Sequence, residues 1–176
     1  KQIRKAVALH ENTPDEVIQV LAKDDYDEVK EAVQQRLLPT DWRMLDNNEK
    51  INKLKTEDNI PANVLKILAS FDSYSYWKIR KAVALHENTP DEVIQVLSKD
   101  DYDEVKEAVQ QRLLPTDWRM LDNNEKINKL KTEDNIPANV LKVLASFDSY
   151  SYRRIREAVA LHENTPDEVI QLLSKD

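Results

Sequence analysis

Apolar residues recur at intervals of three or four positions along most of the chain, and charged residues lie between them. This spacing is typical of helices that bury one side and expose the other. The pattern predicts a short helix up to His10, a second from Thr13 to about Lys23 and a third that ends near Gln35. We expect their apolar sides to be buried, namely Ile3, Ala6, Val7, Leu9, Val17, Ile18, Val20, Leu21, Tyr26, Val29, Ala32 and Val33.

Capping signals predict where several of these helices begin. Thr13 is expected as an N-cap, Pro14 at the first helical position, where its missing N–H is harmless, and Glu16 as the residue that closes a capping box. The same spacing predicts two more capping boxes, formed by Asp25 with Glu28 and by Asp46 with Glu49.

The whole pattern returns after 76 residues, the distance that separates Ile3 from Ile79 and Ile79 from Ile155. The long repeats therefore cover residues 1–76, 77–152 and, in part, 153–176. Helix pairs are expected to begin near each of the prolines, which are Pro14, Pro39, Pro61, Pro90, Pro115, Pro137 and Pro166.

Stacking is the way in which such short helices reach a stable core. A single pair cannot bury its apolar sides alone, whereas neighbouring pairs share a continuous core. We therefore predict an all-α fold in which residues 1–176 form a single α-solenoid. It would be a superhelix of stacked short helix pairs, with three pairs in each 76-residue period.

The repeated stretch also has a family resemblance. Ile-Arg-Lys-Ala-Val-Ala, followed by Asn-Thr-Pro, Val-Ile, Leu, Asp and then Val-Lys-Glu-Ala-Val, resembles the leucine-rich repeat variant family of HEAT-like bacterial solenoids. The resemblance is strong over residues 3–33, 79–109 and 155–176, and weaker between them. It implies a superhelix in which α-helices alternate with short 3₁₀ or α-helices, and it implies no activity. The cysteine-bound iron–sulfur cluster of some similar proteins is not carried over, because this chain has no Cys.

Composition narrows the possible functions. The 176 residues include no Gly, which argues against a β-rich fold, a phosphate-binding loop or a dinucleotide-binding crevice. The absence of Cys excludes disulfides, thiolate metal sites and a Cys nucleophile. No apolar run approaches the roughly 20 residues that span a bilayer. We therefore expect a cytoplasmic protein that has no membrane partner.

Few residues suggest chemistry. His10, His86 and His162 occupy the same repeat position, and copies 76 residues apart are expected to lie too far from one another to share a metal ion. We predict that they lie at helix ends, near the last carbonyl groups. The acidic run 24–28 lacks the glycine turn of a calcium loop. We predict no catalytic residue, no metal site and no cofactor.

Comparison of the copies identifies a candidate recognition face. Repeats 1–76 and 77–152 differ at four positions, and the largest changes in all three copies occur at repeat positions 1, 2 and 5. Residues four apart lie on the same side of a helix, so these positions share a face. The candidate interaction residues are Lys1, Lys5, Trp77, Lys78, Lys81, Arg153, Arg154 and Glu157. Trp77 is expected to be at least half exposed, because Lys1 and Arg153 occupy its position elsewhere.

These features predict a non-catalytic scaffold that binds another protein. The alternative is a nucleic-acid-binding solenoid that uses an exposed basic edge formed by Lys50, Lys53 and Lys55 together with Arg4 and Lys5. The formal net charge of −7 makes nucleic acid the less favoured partner.

The helices at the two ends of the sequence suggest self-association. The segment 1–10 reads as the second helix of a pair and 166–175 as the first helix of another. We expect the last helix of one molecule to dock on the first helix of the next, which would give a head-to-tail chain.

Overall fold

The computed structural model describes residues 1–71 and 73–175. Asp72, expected in the turn before the second repeat, and Asp176, expected at the end of the third, lie outside these residues. The described part of the chain is helical and has no strand, which confirms the all-α fold class. None of its helices is both long and apolar enough to cross a membrane.

Fourteen α-helices occur in the described residues. They are α1 (Gln2–Leu9), α2 (Asp15–Leu21), α3 (Asp27–Leu37), α4 (Thr40–Arg43), α5 (Asn47–Thr56), α6 (Ala62–Ala69), α7 (Trp77–Leu85), α8 (Asp91–Leu97), α9 (Asp103–Gln111), α10 (Thr116–Arg119), α11 (Asn123–Thr132), α12 (Ala138–Ala145), α13 (Arg153–Ala160) and α14 (Asp167–Leu173). Short 3₁₀ helices, Tyr74–Tyr76 and Tyr150–Tyr152, precede α7 and α13.

The capping predictions are partly wrong. Pro14 itself is the N-cap of α2, and the Thr13 hydroxyl donates instead to the carbonyl of Val7 at 2.5 Å, near the end of α1. The Asp25 box is also wrong, because α3 begins two residues later and the Asp24 carboxylate accepts the N–H of Tyr26 at 3.0 Å. The predicted capping box at the start of α5 is confirmed, and its copy forms at the start of α11.

Side chains bond the carbonyl groups of turns and helix ends. No described residue has a positive φ, so none of the described helices ends through a left-handed residue. Arg36 donates to the carbonyls of Glu11 and Thr13, each at 3.1 Å. Arg43 donates to the carbonyl of Leu38 at 3.1 Å, and Lys50 donates to that of Leu45. The turns that follow α1, α3 and α4 are thus stabilised by side-chain donors.

The chain comprises two compact units, Lys1–Lys106 and Glu107–Asp176. In the first unit, α1 packs against α2 and α3, α5 and α6 pack against α7, and α6 contacts α8. Trp42 is buried there, as predicted. One cluster of the first unit comprises Ala8, Leu21, Val29, Ala32 and Val33.

In the second unit, α11 and α12 pack against α13, and α12 contacts α14. Trp118 is buried in its core, as predicted, and Phe147 stacks on Tyr152 with ring centroids 4.6 Å apart. Gln111 donates to the Tyr152 hydroxyl at 2.7 Å, and burial raises the pKa of Tyr152 to about 12. This hydroxyl therefore stays neutral and hydrogen-bonded in the core at ordinary pH.

Several residues expected in the core are exposed. Ile3 is 81% exposed, whereas Ile79 and Ile155, at the same repeat position, are fully buried. The reason is that α5 packs on α7 and α11 packs on α13, while α1 has no such helix among the described residues. The other expected core residues that are exposed are Ala6, Leu9, Val17, Val20 and Tyr26.

A buried ion pair joins three parts of the first unit. The Arg80 guanidinium on α7 pairs with the Asp100 carboxylate at 2.6 Å, and both side chains are almost fully buried. Arg80 also donates to the carbonyls of Phe71 and Ser73, at 2.5 and 3.2 Å. A buried charge is tolerated only when it is paired and hydrogen-bonded in this way.

Replacing Asp100 with Ala is expected to leave Arg80 buried without its counter-charge. The free energy of unfolding should fall by about 3–5 kcal/mol, the usual effect of removing one partner of a buried pair. Urea denaturation followed by circular dichroism measures this loss. Glu92→Ala is the matched control, because Glu92 pairs with Lys66 at the surface and should be nearly neutral. Equal effects of the two substitutions would contradict a special role for the buried pair.

Candidate interaction surface

Trp77 begins α7 and lies against a tyrosine. Its indole ring stacks on Tyr102 with centroids 6.5 Å apart and an angle of 14° between the ring planes. The prediction that Trp77 is at least half exposed is therefore wrong, since Trp77 is only partly exposed. Tyr74 meets the same Tyr102 ring edge-on at 5.5 Å, and the Arg80 guanidinium lies 5.4 Å from it. We call these four residues, Tyr74, Trp77, Arg80 and Tyr102, the aromatic cluster.

In the first repeat, cationic side chains lie around the tyrosine that corresponds to Tyr102. Lys1 and Arg4 lie 6.0 and 5.4 Å from the ring centroid of Tyr26, which occupies the repeat position of Tyr102. Lys1 also pairs with Glu28 at 2.5 Å. This hydrogen bond raises the pKa of Lys1 and lowers that of Glu28. In both copies, the variable first position thus lies over the same tyrosine.

Sequence reasoning missed these tyrosines as site residues, because the apolar pattern assigned Tyr26 to the core. The residues next to these tyrosines in the sequence could have indicated a surface position. Tyr26 and Tyr102 each lie in an Asp-Asp-Tyr-Asp run, and three acidic residues around one ring favour an exposed position. Each tyrosine also follows the variable first position by 25 residues.

A cleft opens beside Trp77 within the first unit. It has a volume of about 440 Å³ and is lined by Asn47, Asn48, Ile51, Tyr74, Ser75, Trp77, Lys78 and Ile79. Lys78 is exposed, and its ammonium lies 5.6 Å from the centroid of the Trp77 ring. The cleft therefore offers an aromatic face, a cation and amide groups to a ligand, with Ile51 and Ile79 as its apolar part.

The other candidate residues are placed as follows. In the first unit, Lys5 is exposed on α1 and Lys81 is half-buried on α7. In the second unit, Arg153, Arg154 and Glu157 are exposed on α13. In the second unit, repeat positions 1, 2 and 5 thus carry two arginines and a glutamate. In the first unit, position 5 is a lysine in both copies.

One lysine of the expected basic edge does not lie at the surface. Lys50 is only 3% exposed, and burial lowers the pKa of its ammonium group. Lys53 pairs with Asp41 at 3.1 Å and lies 4.9 Å from the centroid of the Trp42 ring. Lys55 is exposed, whereas Arg4 pairs with Asp24 at 2.6 Å. The three lysines therefore do not share one exposed face.

The histidines lie at helix ends, as predicted, but their rings bond other segments. His86 follows α7, and its Nδ1 accepts the N–H of Asn88 at 3.2 Å. Since that nitrogen accepts, Nε2 carries the proton and donates to the carbonyl of Glu57 at 2.8 Å. Asn88 donates in turn to the carbonyl of Asp58. The turn after α7 is thereby fastened to the end of α5.

The third histidine makes the same contacts in the second unit, where His162 bonds the carbonyl of Glu133 at 2.8 Å. His10, which follows α1, is exposed. Within residues 1–71 and 73–175, no group of three or more His, Asp or Glu side chains is arranged to hold a metal ion. Comparison of the chain with family models, with curated proteins and with solved structures gives no match.

His86→Ala is expected to lower the free energy of unfolding by about 1–3 kcal/mol, because it removes a buried ring and the donor to the Glu57 carbonyl. His10→Ala provides a control in the same sequence context and should change stability by less than about 0.5 kcal/mol, since His10 is exposed. Chemical denaturation of the two variants tests the difference. A loss in His10→Ala as large as that in His86→Ala would show that the ring acts within its own turn only.

Proposed function

We propose that the chain is an α-solenoid of the leucine-rich repeat variant type that serves as a non-catalytic scaffold for binding another protein. Recurrent packing supports the solenoid, because α5 and α6 lie on α7 in the first unit in the same way that α11 and α12 lie on α13 in the second. Stacked pairs of short helices of this kind present extended surfaces suited to macromolecular partners.

The observation that carries this proposal is the position of the differences between copies. Trp77 and Lys78 replace Lys1 and Gln2 at the surface, while the buried residues around them are retained. Tyr74 and Trp77 line the cleft together with Lys78, and tryptophan and tyrosine are among the residue types that dominate binding energy at protein interfaces. Tyr74, Trp77 and Lys78 are thus the candidate anchor.

Substitution of the anchor tests this function. The double variant Trp77→Ala and Lys78→Ala is expected to lose the partner captured by the wild-type chain from an extract of its host, with affinity lowered at least tenfold for the identified partner. Met44→Ala serves as the control, because Met44 is 79% exposed and lies outside repeat positions 1, 2 and 5. Affinity is measured by titration with the purified partner.

Two results would contradict the proposal. Undiminished binding by the double variant would remove the anchor role of Trp77. Binding to RNA or DNA that falls steeply between low and physiological salt would instead favour the nucleic-acid alternative.

Head-to-tail self-association is the second candidate. It is favoured by apolar side chains exposed on α1 and α14, which are Ile3 (81%), Ile170 (40%) and Leu172 (50%). A contact between α14 of one molecule and α1 of the next would cover them, as α12 covers α13 within the second unit. In this arrangement each molecule would extend the stack of the previous one.

Light scattering over a hundredfold dilution tests self-association. The mean mass is expected to fall on dilution, and Leu172→Asp should give a monomer at every concentration, because a charge would be buried at the contact. Val96→Asp is the control, since Val96 is a comparably exposed valine on α8. A wild-type chain that is monomeric throughout would contradict the contact.

A further inference from the structure

The cleft beside Trp77 combines apolar walls with positive charge. The indole of Trp77 and the side chains of Ile51 and Ile79 form its apolar part, and the exposed ammonium of Lys78 is its charged group. None of the described residues that line it carries a carboxylate, although acidic residues outnumber basic ones in the whole sequence by 33 to 26. A ligand that is apolar at one point and negatively charged at the next therefore complements the cleft.

Carboxylates that flank the cleft are engaged within the chain. Asp46 and Glu49 precede and follow the two asparagines of the lining, and each accepts the main-chain N–H of the other in the capping box of α5, at 2.8 and 2.7 Å. Near the ring that stacks on the indole, Asp100 pairs with Arg80 at 2.6 Å. Among the described lining residues, Lys78 is thus the one that offers a charge to a ligand.

The corresponding positions of the second unit carry more positive charge. Six of them keep the same residue types, namely Asn123, Asn124, Ile127, Tyr150, Ser151 and Ile155. There, α11 packs on α13 as α5 packs on α7 in the first unit. The variable positions 1 and 2 are Arg153 and Arg154, and both are exposed. A cation at one or both of these positions is thus common to all three copies of the repeat.

Helix stability does not account for these cations. The N-terminal end of a helix carries a partial positive charge, so carboxylates in the first turn are favourable. The helices α2, α3 and α8 follow this rule and begin with an acidic pair. The helices α7 and α13 have no acidic residue in the first turn, where Lys78, Arg153 and Arg154 lie instead. An anionic group of a ligand would offset the repulsion that these cations experience.

On the basis of the scaffold function proposed above, we infer that the cleft beside Trp77 binds an acidic segment of the partner protein, in which an apolar side chain lies next to carboxylates. The apolar side chain packs against Trp77 and Ile51, and a carboxylate accepts a hydrogen bond from the Lys78 ammonium. The side-chain amides of Asn47 and Asn48 bond the main chain of the segment. The cleft volume of about 440 Å³ lies within the range of roughly 300–1,000 Å³ that is usual for ligand sites.

Synthetic peptides test this chemistry on the full chain. The probe is the acetylated and amidated peptide Asp-Glu-Phe-Asp-Glu, and the controls are Lys-Lys-Phe-Lys-Lys and Asp-Glu-Ser-Asp-Glu. Titration is followed by tryptophan fluorescence, because Trp77 is partly exposed whereas Trp42 and Trp118 are buried. The probe is expected to bind at least tenfold more tightly than either control, since it alone supplies both the apolar group and the negative charge.

Charge reversal at Lys78 separates the site from the fold. Lys78→Glu should weaken binding of the probe at least tenfold and leave the urea midpoint at or above that of the wild type, since a carboxylate suits the first turn of α7. Lys78→Gln, which introduces the residue type of Gln2 in the first repeat, removes the charge alone and should also weaken binding. Lys23→Glu is the control and should bind the probe normally, because Lys23 is exposed in the same unit and lies outside the cleft.

Several results would overturn the inference. They are equal affinity for the three peptides, no binding of the probe, or undiminished binding by both Lys78 variants. Binding of a single-stranded DNA oligonucleotide that depends on Lys78, without binding of the probe, would assign the cleft to nucleic acid instead. A host partner that is lost by the Trp77 and Lys78 double variant, yet binds Lys78→Glu as tightly as the wild type, would reject the acidic segment and leave the scaffold function standing.

Discussion

A helix that cannot end through a left-handed residue leaves its last carbonyl groups for other donors. This sequence has no Gly, and no described residue has a positive φ; besides backbone N–H groups, side chains such as those of Thr13 and Arg43 donate to carbonyls in the last turns of α1 and α3. Arg36, Lys50 and His86 donate to carbonyls of turns or helix ends. Because Arg36 and His86 reach these carbonyls from other helices or turns, completing a helix end also fixes the position of its neighbour. In this chain, some of the hydrogen bonds that complete helix ends and turns therefore also hold neighbouring segments together.

A buried arginine likewise joins distant segments of the first unit. Arg80 lies on α7 and bonds Phe71 and Ser73 before that helix, while its other partner, Asp100, lies in the turn after α8. One buried side chain thus bonds three segments of the chain. The desolvation of its charge is offset by the carboxylate and the two carbonyls together. Such an ion pair specifies one arrangement of the helices, because any other would leave the charge unpaired in the interior.

Local sequence predicted what depends on local interactions. The amphipathic spacing located the helices, and the box of Asp46 and Glu49 was predictable because both of its bonds lie within four residues. Thr13 was expected to cap α2 and Lys50 to lie on an exposed edge, but both side chains donate to carbonyls outside their helices, those of Val7 and Leu45, which the local pattern does not indicate. The contrast between Ile3 and Ile79 was not predictable from the pattern at all. The residues that follow the two isoleucines are the same, and α5 packs on the helix of the buried one.

One repeated sequence can supply both the contacts between helices and the residues that bind a partner. The contacts that hold successive helices use main-chain carbonyls and apolar sides, which almost any repeat of this type can offer. They therefore stay constant from copy to copy. Positions 1, 2 and 5 take no part in those bonds, and position 1 accommodates Lys or Trp beside the same tyrosine of the repeat. In the proposed scaffold, the constant contacts build the stack and the variable side chains choose the partner, so change in recognition leaves stability intact.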